Sequence, residues 1–283
     1  MKNKILKTIN KGISKDTKYI VESNGNKSFL RVTNYSFDRL QELEKIRISI
    51  QDSKCNINKI EKINVENNKI YCYYNFIEGF LLSNHIQEIT NEKKEEYGKQ
   101  AGEILKNIHS IKVETKMNSN IELHNKVCDM FFTFEDGTFK NVLEILIHEV
   151  LTLYKHVNID ECVYLHADYS TTNMLINNDE VFIIDFERYE VGNKVRDFSF
   201  IYTYDEDRIY AKSLINAYFN NEVPKNFWIE FKYYSYLFVL YYCMWNYKKF
   251  GKYNNSIDIA NKLISDFSDN KTIPSWYGRK KCF

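Results

Sequence analysis

The most constraining feature of the sequence is a polar loop between two short apolar runs. The loop has the pattern H-x-D-x-x-x-x-N, in which Asn173 stands five positions after Asp168. The second apolar run covers 181–184 and ends at Asp185, seventeen positions after Asp168. Short apolar runs bounded by polar turns are typical of buried strands. The pattern therefore predicts a loop and a strand that together present two carboxylates and one carboxamide.

This set of side chains suits phosphoryl transfer from a nucleotide to a hydroxyl. Such a reaction needs an aligned acceptor, a carboxylate for its proton and a metal ion that neutralises the phosphates. Magnesium prefers oxygen ligands and takes few of them from the protein. We therefore expect Asp168 to orient or deprotonate the hydroxyl, and Asn173 and Asp185 to hold Mg²⁺.

The rest of the sequence predicts an α+β protein with a strand-rich first part. Strands are predicted at 19–22, 28–32, 57–65 and 69–76, and the Asn-Gly pair at 24–25 marks a tight hairpin turn. Apolar residues at helical spacing predict helices at 37–50, 92–108 and 141–156, and helices again from residue 211 onward. The predicted domains are an N-terminal nucleotide-binding lobe at 1–77 and a larger, mainly helical catalytic and substrate-binding lobe at 78–283.

These motifs, in this order, resemble those of aminoglycoside phosphotransferases and choline kinases. The resemblance includes the loop from Asp168 to Asn173, the segment 184–187 (Ile-Asp-Phe-Glu), a hinge at 76–79 and Asp197. It implies a bilobal, protein-kinase-like fold with a small antiparallel sheet lobe before the helical lobe. Glu187 stands where protein kinases have Gly, which favours a small-molecule kinase over a protein kinase.

The resemblance also implies roles for residues outside the central motif. Those expected to bind the nucleotide are Arg31 as the phosphate-binding cation, Glu42 or Glu44 as its orienting partner, Ser14 at the phosphates, and the backbone of Asn75 and Ile77 at the purine. His166 and Asp197 are expected to support the catalytic loop. Two departures stand out, because the family usually has Gly at the position of Ala167 and many relatives have Lys at the position of Arg31.

Two features could concern the acceptor molecule. Acidic residues after the metal strand could form a rim that attracts a polycation, and they include Glu187, Glu190, Asp205 and Glu206. The alternative is a solvated surface of mixed charge. The aromatic residues Phe231, Tyr234, Phe238, Tyr241 and Trp245 share one helix face. They form either a core stripe or a wall for an amine or a sugar.

Charge and composition exclude several partners. The chain has 39 basic and 38 acidic residues, so its net charge of +1 argues against nucleic acid and anionic membranes. The most apolar stretch, 233–247, is shorter than the roughly 20 residues that span a bilayer. The six cysteines form no C-x-x-C pair, as expected of free thiols in the cytoplasm. The oligomeric state stays open.

The leading interpretation is a kinase that uses Mg²⁺ with ATP or GTP to phosphorylate a small, hydroxylated, cationic molecule, first of all an aminoglycoside-type antibiotic. One alternative is a metabolic kinase for choline, ethanolamine or a sugar. A second alternative is a nucleotide-binding pseudokinase without transfer activity, which the presence of Asp168, Asn173 and Asp185 disfavours.

Overall fold

The computed structural model describes residues 4–9, 16–34, 36–51, 56–67, 69–113, 119–268 and 271–278. By the contacts among its residues, the chain divides into two compact units. The first unit consists of Met1–Leu82 and Asn173–Glu187, and the second of Ser83–Thr172 and Arg188–Phe283. The boundary between residues 77 and 78, expected between a nucleotide-binding lobe and a catalytic lobe, remains a prediction.

The strands of the described residues form three antiparallel sheets, ordered β1-β2-β3-β5-β4, β6-β8-β9 and β10-β7. They are β1 (Lys4–Ile9), β2 (Thr17–Ser23), β3 (Asn26–Thr33), β4 (Ile60–Glu66), β5 (Lys69–Asn75), β6 (Phe80–Leu81), β7 (Val163–Leu165), β8 (Met174–Asn177), β9 (Glu180–Ile183) and β10 (Glu190–Gly192).

The helices of the described residues are α1 (Phe37–Gln51), α2 (Leu82–His85), α3 (Asn91–His109), α4 (Asn120–Phe132), α5 (Lys140–Leu153), α6 (Phe200–Thr203), α7 (Arg208–Tyr218), α8 (Lys225–Phe250), α9 (Ser256–Asp266) and α10 (Ser275–Gly278). Single 3-10 turns lie at Tyr154–His156, Thr171–Asn173, Phe186–Arg188 and Lys194–Phe198. Across the described part of the chain, no helix has both the length and the apolar character needed to cross a membrane.

Two-residue turns set the register of the hairpins in the first unit. Asn24 and Gly25 both have positive φ, at 53° and 80°, as the tight turn between β2 and β3 requires. Asn178 and Asp179, with φ of 48° and 63°, make the same kind of turn between β8 and β9. Asn and Asp tolerate this backbone better than other residues with a side chain. The second turn therefore fixes which residues face each other across β8 and β9.

The core of the first unit contains buried side chains from the large sheet and from one face of α1. Leu40, Leu43 and Ile46 lie at helical spacing on α1 and are buried. Leu30 on β3 and Tyr74 on β5 are buried as well. The apolar spacing that predicted this helix is thus explained by burial of a single face.

The second unit is organised by α8 and by a close helix pair. The helix α8 packs against α4, α5, α6 and α9, and it ends at Gly251, whose φ of 67° gives a left-handed cap. The helices α3 and α7 approach each other at Gly98 and Gly102. An alanine Cβ at Gly98 would overlap the carbonyl oxygen of Tyr210, and one at Gly102 would overlap that of Leu214.

The predicted α+β architecture is confirmed, with an antiparallel sheet early in the chain and helices in most of the remainder. The strand β1 and the helix α4 were not predicted. The strand β1 is exposed along most of its length, so its sequence lacks the apolar alternation of a half-buried strand.

We predict that Gly102→Ala lowers the free energy of unfolding by about 1–3 kcal/mol, since overpacking outweighs the roughly 1 kcal/mol gain in helix propensity. Denaturant unfolding measures the change. The matched control is Gly137→Ala, because an added Cβ there meets nothing within 4 Å. Equal stability of the two variants would contradict the close approach of α3 and α7.

Candidate active site

The loop that contains Asp168 follows β7 in the second unit. Ala167 has a φ of 63°, which is left-handed backbone that costs a residue with a side chain about 1–2 kcal/mol. This conformation explains why glycine suits the position. Asp168 is half-buried, and its carbonyl oxygen accepts a hydrogen bond from the Ser170 N–H at 3.0 Å. A 3-10 turn then leads to Asn173.

Asp197 holds the start of this loop through its backbone. The carboxylate is 1% exposed and accepts hydrogen bonds from the N–H groups of His166 and Ala167, both at 2.8 Å. The Nε2 atom of His109 lies 3.1 Å from the same carboxylate. Burial alone would raise the pKa of Asp197, but the contact with His109 outweighs it and the pKa is lowered. The carboxylate therefore stays ionised and keeps accepting these hydrogen bonds.

Glu206 holds the same loop at a second point. Its carboxylate is buried and accepts hydrogen bonds from the Thr171 N–H at 2.8 Å and from the Thr171 hydroxyl at 2.8 and 3.0 Å. Burial raises the pKa of Glu206 to about 7, although the hydrogen bonds from Thr171 act in the opposite direction. Glu206 thus fixes the backbone of the loop two residues before Asn173.

Tyr204 contacts the side chain of Asp168 directly. The tyrosine hydroxyl donates a hydrogen bond to Oδ1 of Asp168 at 2.8 Å. Asp197, Tyr204 and Glu206 all belong to one short segment around α6. This segment contacts the loop that contains Asp168 at His166, Ala167, Asp168 and Thr171.

In the first unit, the β8–β9 hairpin brings Asn173 and Asp185 to the same end. Met174 pairs with Ile183, and beyond this pair the Ile184 N–H donates a hydrogen bond to the Asn173 carbonyl at 3.0 Å. Asp185 follows directly, with a φ of 64°. Asn173 and Asp185 are twelve positions apart in the sequence, but the hairpin makes them neighbours at one of its ends.

Arg31 is the centre of a buried charge cluster in the same unit. The side chain is 2% exposed, and its guanidinium contacts Asp16 at 2.6 Å, Asp185 at 2.5 Å and Glu187 at 2.8 Å. Lys18 faces Arg31 across the β2–β3 ladder, and its Nζ lies 3.6 Å from Asp185. Three carboxylates therefore contact two cations, and Arg39 adds a third cation beside Glu187, whose carbonyl oxygen accepts hydrogen bonds from its guanidinium at 3.0 and 3.2 Å.

The charge cluster keeps Arg31 and Asp185 ionised. Burial opposes the charge on Arg31, but the carboxylates, Glu187 above all, outweigh it and raise the pKa. Burial would likewise raise the pKa of Asp185, whereas Arg31 and Lys18 hold it well below its usual range. The carboxylate of Asp185 and the carboxamide of Asn173 are the hard oxygen donors that suit Mg²⁺. The residues present therefore fit a magnesium ion, which would compete with Arg31 and Lys18 for Asp185.

Two of the other predicted nucleotide residues, Asn75 and Ile77, lie at the end of β5 and just after it. Asn75 ends β5, where its Oδ1 accepts a hydrogen bond from the Lys59 N–H at 2.5 Å. Ile77 is half-buried just after this strand, and Glu42 is half-buried on α1. Ser14 lies outside the described residues. The role of Glu42 or Glu44 as the partner of Arg31 stays a prediction, while Asp16 and Lys18 are cluster members that were not predicted.

The predicted acidic rim is wrong for two of its four residues. Glu187 and Glu206 are buried and engaged with Arg31 and Thr171, so neither is part of an exposed rim. Glu190 and Asp205 are more exposed, yet Glu190 pairs with Arg196 and Asp205 pairs with Lys262, both at 2.5 Å. Surface pairing of this kind leaves little net negative field for a polycation.

A family model now decides the class of the protein. The model of the phosphotransferase enzyme family matches residues 5–227, which is most of the chain. The chain belongs to this family. It is accordingly a kinase of the small-molecule type, as predicted. No curated protein matches its sequence.

Solved structures of other kinases share the fold of this phosphotransferase. The aminoglycoside phosphotransferase APH(4)-Ia has a TM-score of 0.69 at 13% identity, over 93% of this chain and 94% of that chain. A thermostable mutant of that enzyme forms a ternary complex with ADP and hygromycin B. The amicoumacin kinase hAmiN, in complex with AMP-PNP and Ca²⁺, has a TM-score of 0.65 at 11% identity, over 93% and 88%. APH(2")-IIa, in a ternary complex with streptomycin and ATP, has a TM-score of 0.57 at 14% identity, over 84% and 85%. These similarities confirm the predicted kinase-like fold.

The aromatic face of α8 is partly core in this phosphotransferase. Phe231 and Tyr234 are fully buried, which fits the core interpretation. Phe238 is half-buried and packs on Phe200 with ring centroids 5.4 Å apart. Phe200 in turn packs on Tyr204. An aromatic surface thus leads from α8 to the residue that contacts Asp168.

We predict that Glu206→Gln makes the stability of this phosphotransferase less dependent on pH. The pKa of Glu206 rises from 4.5, its ordinary value, to about 7 in the fold, so the folded state binds more protons between these values. Its contribution is therefore full below pH 4.5 and lost as the pH rises through 7. A shift of this size corresponds to about 3 kcal/mol.

Glutamine keeps the hydrogen bonds to Thr171 without a titrating proton. We expect the stability of Glu206→Gln relative to the wild type to increase from pH 4.5 to 8, as measured by denaturant unfolding across that range. A difference that stays constant with pH would contradict the elevated pKa of Glu206.

Proposed function

We propose that this phosphotransferase transfers the γ-phosphoryl group of ATP or GTP to a hydroxyl of a small cationic molecule, first of all an aminoglycoside-type antibiotic. The observation that carries the proposal is the hairpin end at which Asn173 and Asp185 are neighbours, directly after the loop that contains Asp168. The order and chemistry of these three side chains are those that phosphoryl transfer requires.

The proposed reaction is a direct in-line transfer. The acceptor oxygen forms a bond to the γ-phosphorus while the bond from the γ-phosphorus to the bridging oxygen breaks, which releases ADP or GDP. Asp168 aligns the acceptor hydroxyl and receives its proton. Most of the rate acceleration then comes from positioning and charge neutralisation.

The nucleotide is held by residues of the first unit. Asn173 and Asp185 would hold Mg²⁺, which neutralises charge on the phosphates when it is bound. In this proposal Arg31 contacts the phosphates, oriented by Glu42 or Glu44, and a guanidinium suits this role through its planar fork. Ser14 contacts phosphate as well. Backbone groups of Asn75 and Ile77 hold the purine.

The class of acceptor is inferred from the similar kinases and from the surroundings of Asp168. Structures with the same fold hold hygromycin B and streptomycin, which supports a hydroxylated, cationic acceptor for this chain. The exposed ring of Tyr204 offers an aromatic surface beside the carboxylate of Asp168, and such a surface suits a sugar or an amine. Phosphorylation of an antibiotic would make this protein a resistance enzyme. Choline, ethanolamine or a simple sugar is the alternative acceptor.

We also propose that the protein works in the cytoplasm, where nucleotides are abundant. Cys72, Cys128 and Cys243 are buried free thiols, and Cys162 is a half-buried one. Free thiols are typical of a reducing compartment.

We predict that Asp168→Asn abolishes turnover and leaves the affinity for the magnesium nucleotide within about threefold of the wild type, since only the proton acceptor is lost. Turnover is measured as ADP or GDP release with aminoglycosides, macrolides, choline, ethanolamine and sugars as acceptors. Asp160→Asn, an exposed aspartate of the same unit, is the matched control. Undiminished turnover of Asp168→Asn would contradict the proposed role.

We predict that Asp185→Ala removes the effect of magnesium on nucleotide binding. In the wild type, calorimetric titration should give tighter nucleotide binding with Mg²⁺ than with EDTA, and the variant should bind equally weakly in both. Glu180→Gln is the control, because Glu180 is exposed at the opposite end of the same hairpin. A variant that keeps the difference between Mg²⁺ and EDTA would show that Asp185 is not a metal ligand.

A further inference from the structure

The hydrogen bond from Tyr204 to Asp168 joins an exposed aromatic residue to the proposed proton acceptor. The hydroxyl lies 2.8 Å from Oδ1 of Asp168, and the tyrosine is 43% exposed. The ring is therefore partly open to solvent, while its hydroxyl contacts the Asp168 side chain directly.

The backbone around Tyr204 is fixed by its own hydrogen bonds. Tyr204 follows α6, and its N–H donates to the carbonyl of Phe200 at 3.0 Å. The next residue, Asp205, has a φ of 49°, and its N–H donates to the carbonyl of Tyr202 at 2.8 Å. The rings of Tyr204 and Phe200 pack with centroids 6.0 Å apart. These contacts fix the position from which the hydroxyl reaches Asp168.

The same segment holds the main chain of the catalytic loop. Asp197 precedes α6 and accepts the N–H groups of His166 and Ala167, and Glu206 follows Tyr204 and accepts the Thr171 N–H. The backbone on both sides of Asp168 is therefore anchored to one rigid piece of chain. The Tyr204 hydroxyl adds a contact at the Asp168 side chain itself, which these backbone hydrogen bonds do not provide.

We propose that Tyr204 is a positioning residue for phosphoryl transfer, whose hydroxyl fixes the Asp168 carboxylate in the orientation that receives the acceptor hydroxyl. The inference rests on the proposed role of Asp168. It adds a residue to the reaction that the motif pattern alone does not contain.

The Tyr204 hydroxyl keeps the proton that it donates to Asp168. Desolvation and the negative charge of Asp168 both raise the pKa of Tyr204, so the phenol keeps its proton throughout the physiological pH range. A hydrogen bond to an ionised carboxylate is shorter and stronger than one between neutral groups. Tyr204 thus remains a hydrogen-bond donor to the Asp168 carboxylate.

The test is Tyr204→Phe, which keeps the ring and removes only the hydroxyl. We expect kcat to fall about 10- to 100-fold, in the range of a lost orienting contact, while KM for the nucleotide and Kd for the acceptor stay unchanged. Tyr253→Phe is the matched control, because the Tyr253 hydroxyl also donates to a carboxylate, that of Asp136 at 2.6 Å, outside the loop that contains Asp168. We expect the control to keep the wild-type kcat.

A double-mutant cycle tests the contact between Tyr204 and Asp168 independently of phosphoryl transfer. Denaturant unfolding of Tyr204→Phe, Asp168→Ala and the double variant should give non-additive changes, because the two groups interact directly. Additive changes, or a wild-type kcat in Tyr204→Phe, would overturn the positioning role while the kinase activity stands. A wild-type protein that phosphorylates no acceptor would overturn the proposed function, and the positioning role with it.

Discussion

The arrangement of the loop that contains Asp168 depends on one buried carboxylate, that of Asp197. A buried charge is tolerated only when hydrogen bonds and a partner compensate for its lost hydration. Asp197 obtains them from His109 and from the N–H groups of His166 and Ala167. The loop is thereby forced to present these N–H groups inward, and Ala167 accepts a left-handed backbone as a consequence.

In both units, buried charged side chains hold neighbouring groups in fixed positions. In the second unit, carboxylates hold loop backbone at Ala167 and Thr171. In the first unit, Arg31 is surrounded by Asp16, Asp185 and Glu187, so the charges fix the position of Asp185. The carboxylates of the second unit determine the backbone geometry of the loop. The charges around Arg31 in the first unit determine the position and the ionisation of Asp185.

The fold was predictable where short-range patterns dominate. The Asn-Gly turn at 24–25, the helical spacing of Leu40, Leu43 and Ile46 and the apolar run before Asp185 all have local causes. The strand β1 was missed because its side chains are largely exposed, so that no alternation marks it. The spacing of Asp168, Asn173 and Asp185 was equally informative, since a hairpin needs only a few residues to bring its ends together.

The candidate site was less predictable where partners are distant in sequence. No pattern connects Thr171 with Glu206 or Asp168 with Tyr204, because these contacts arise only when α6 is packed. For the same reason Glu206 was assigned to an acidic rim, although it is buried. Lys18 gave one usable signal, since its place opposite Arg31 follows from the register of the β2–β3 hairpin.

The most direct test of the central claim is mass spectrometry of candidate acceptors after incubation with the protein, magnesium and ATP or GTP. We predict that one acceptor class, first of all aminoglycosides, gains the mass of a single phosphate group, and that omission of magnesium prevents the gain. If no acceptor gains that mass while the nucleotide is bound, the proposed phosphoryl transfer would be wrong, and the protein would bind nucleotides without transfer activity.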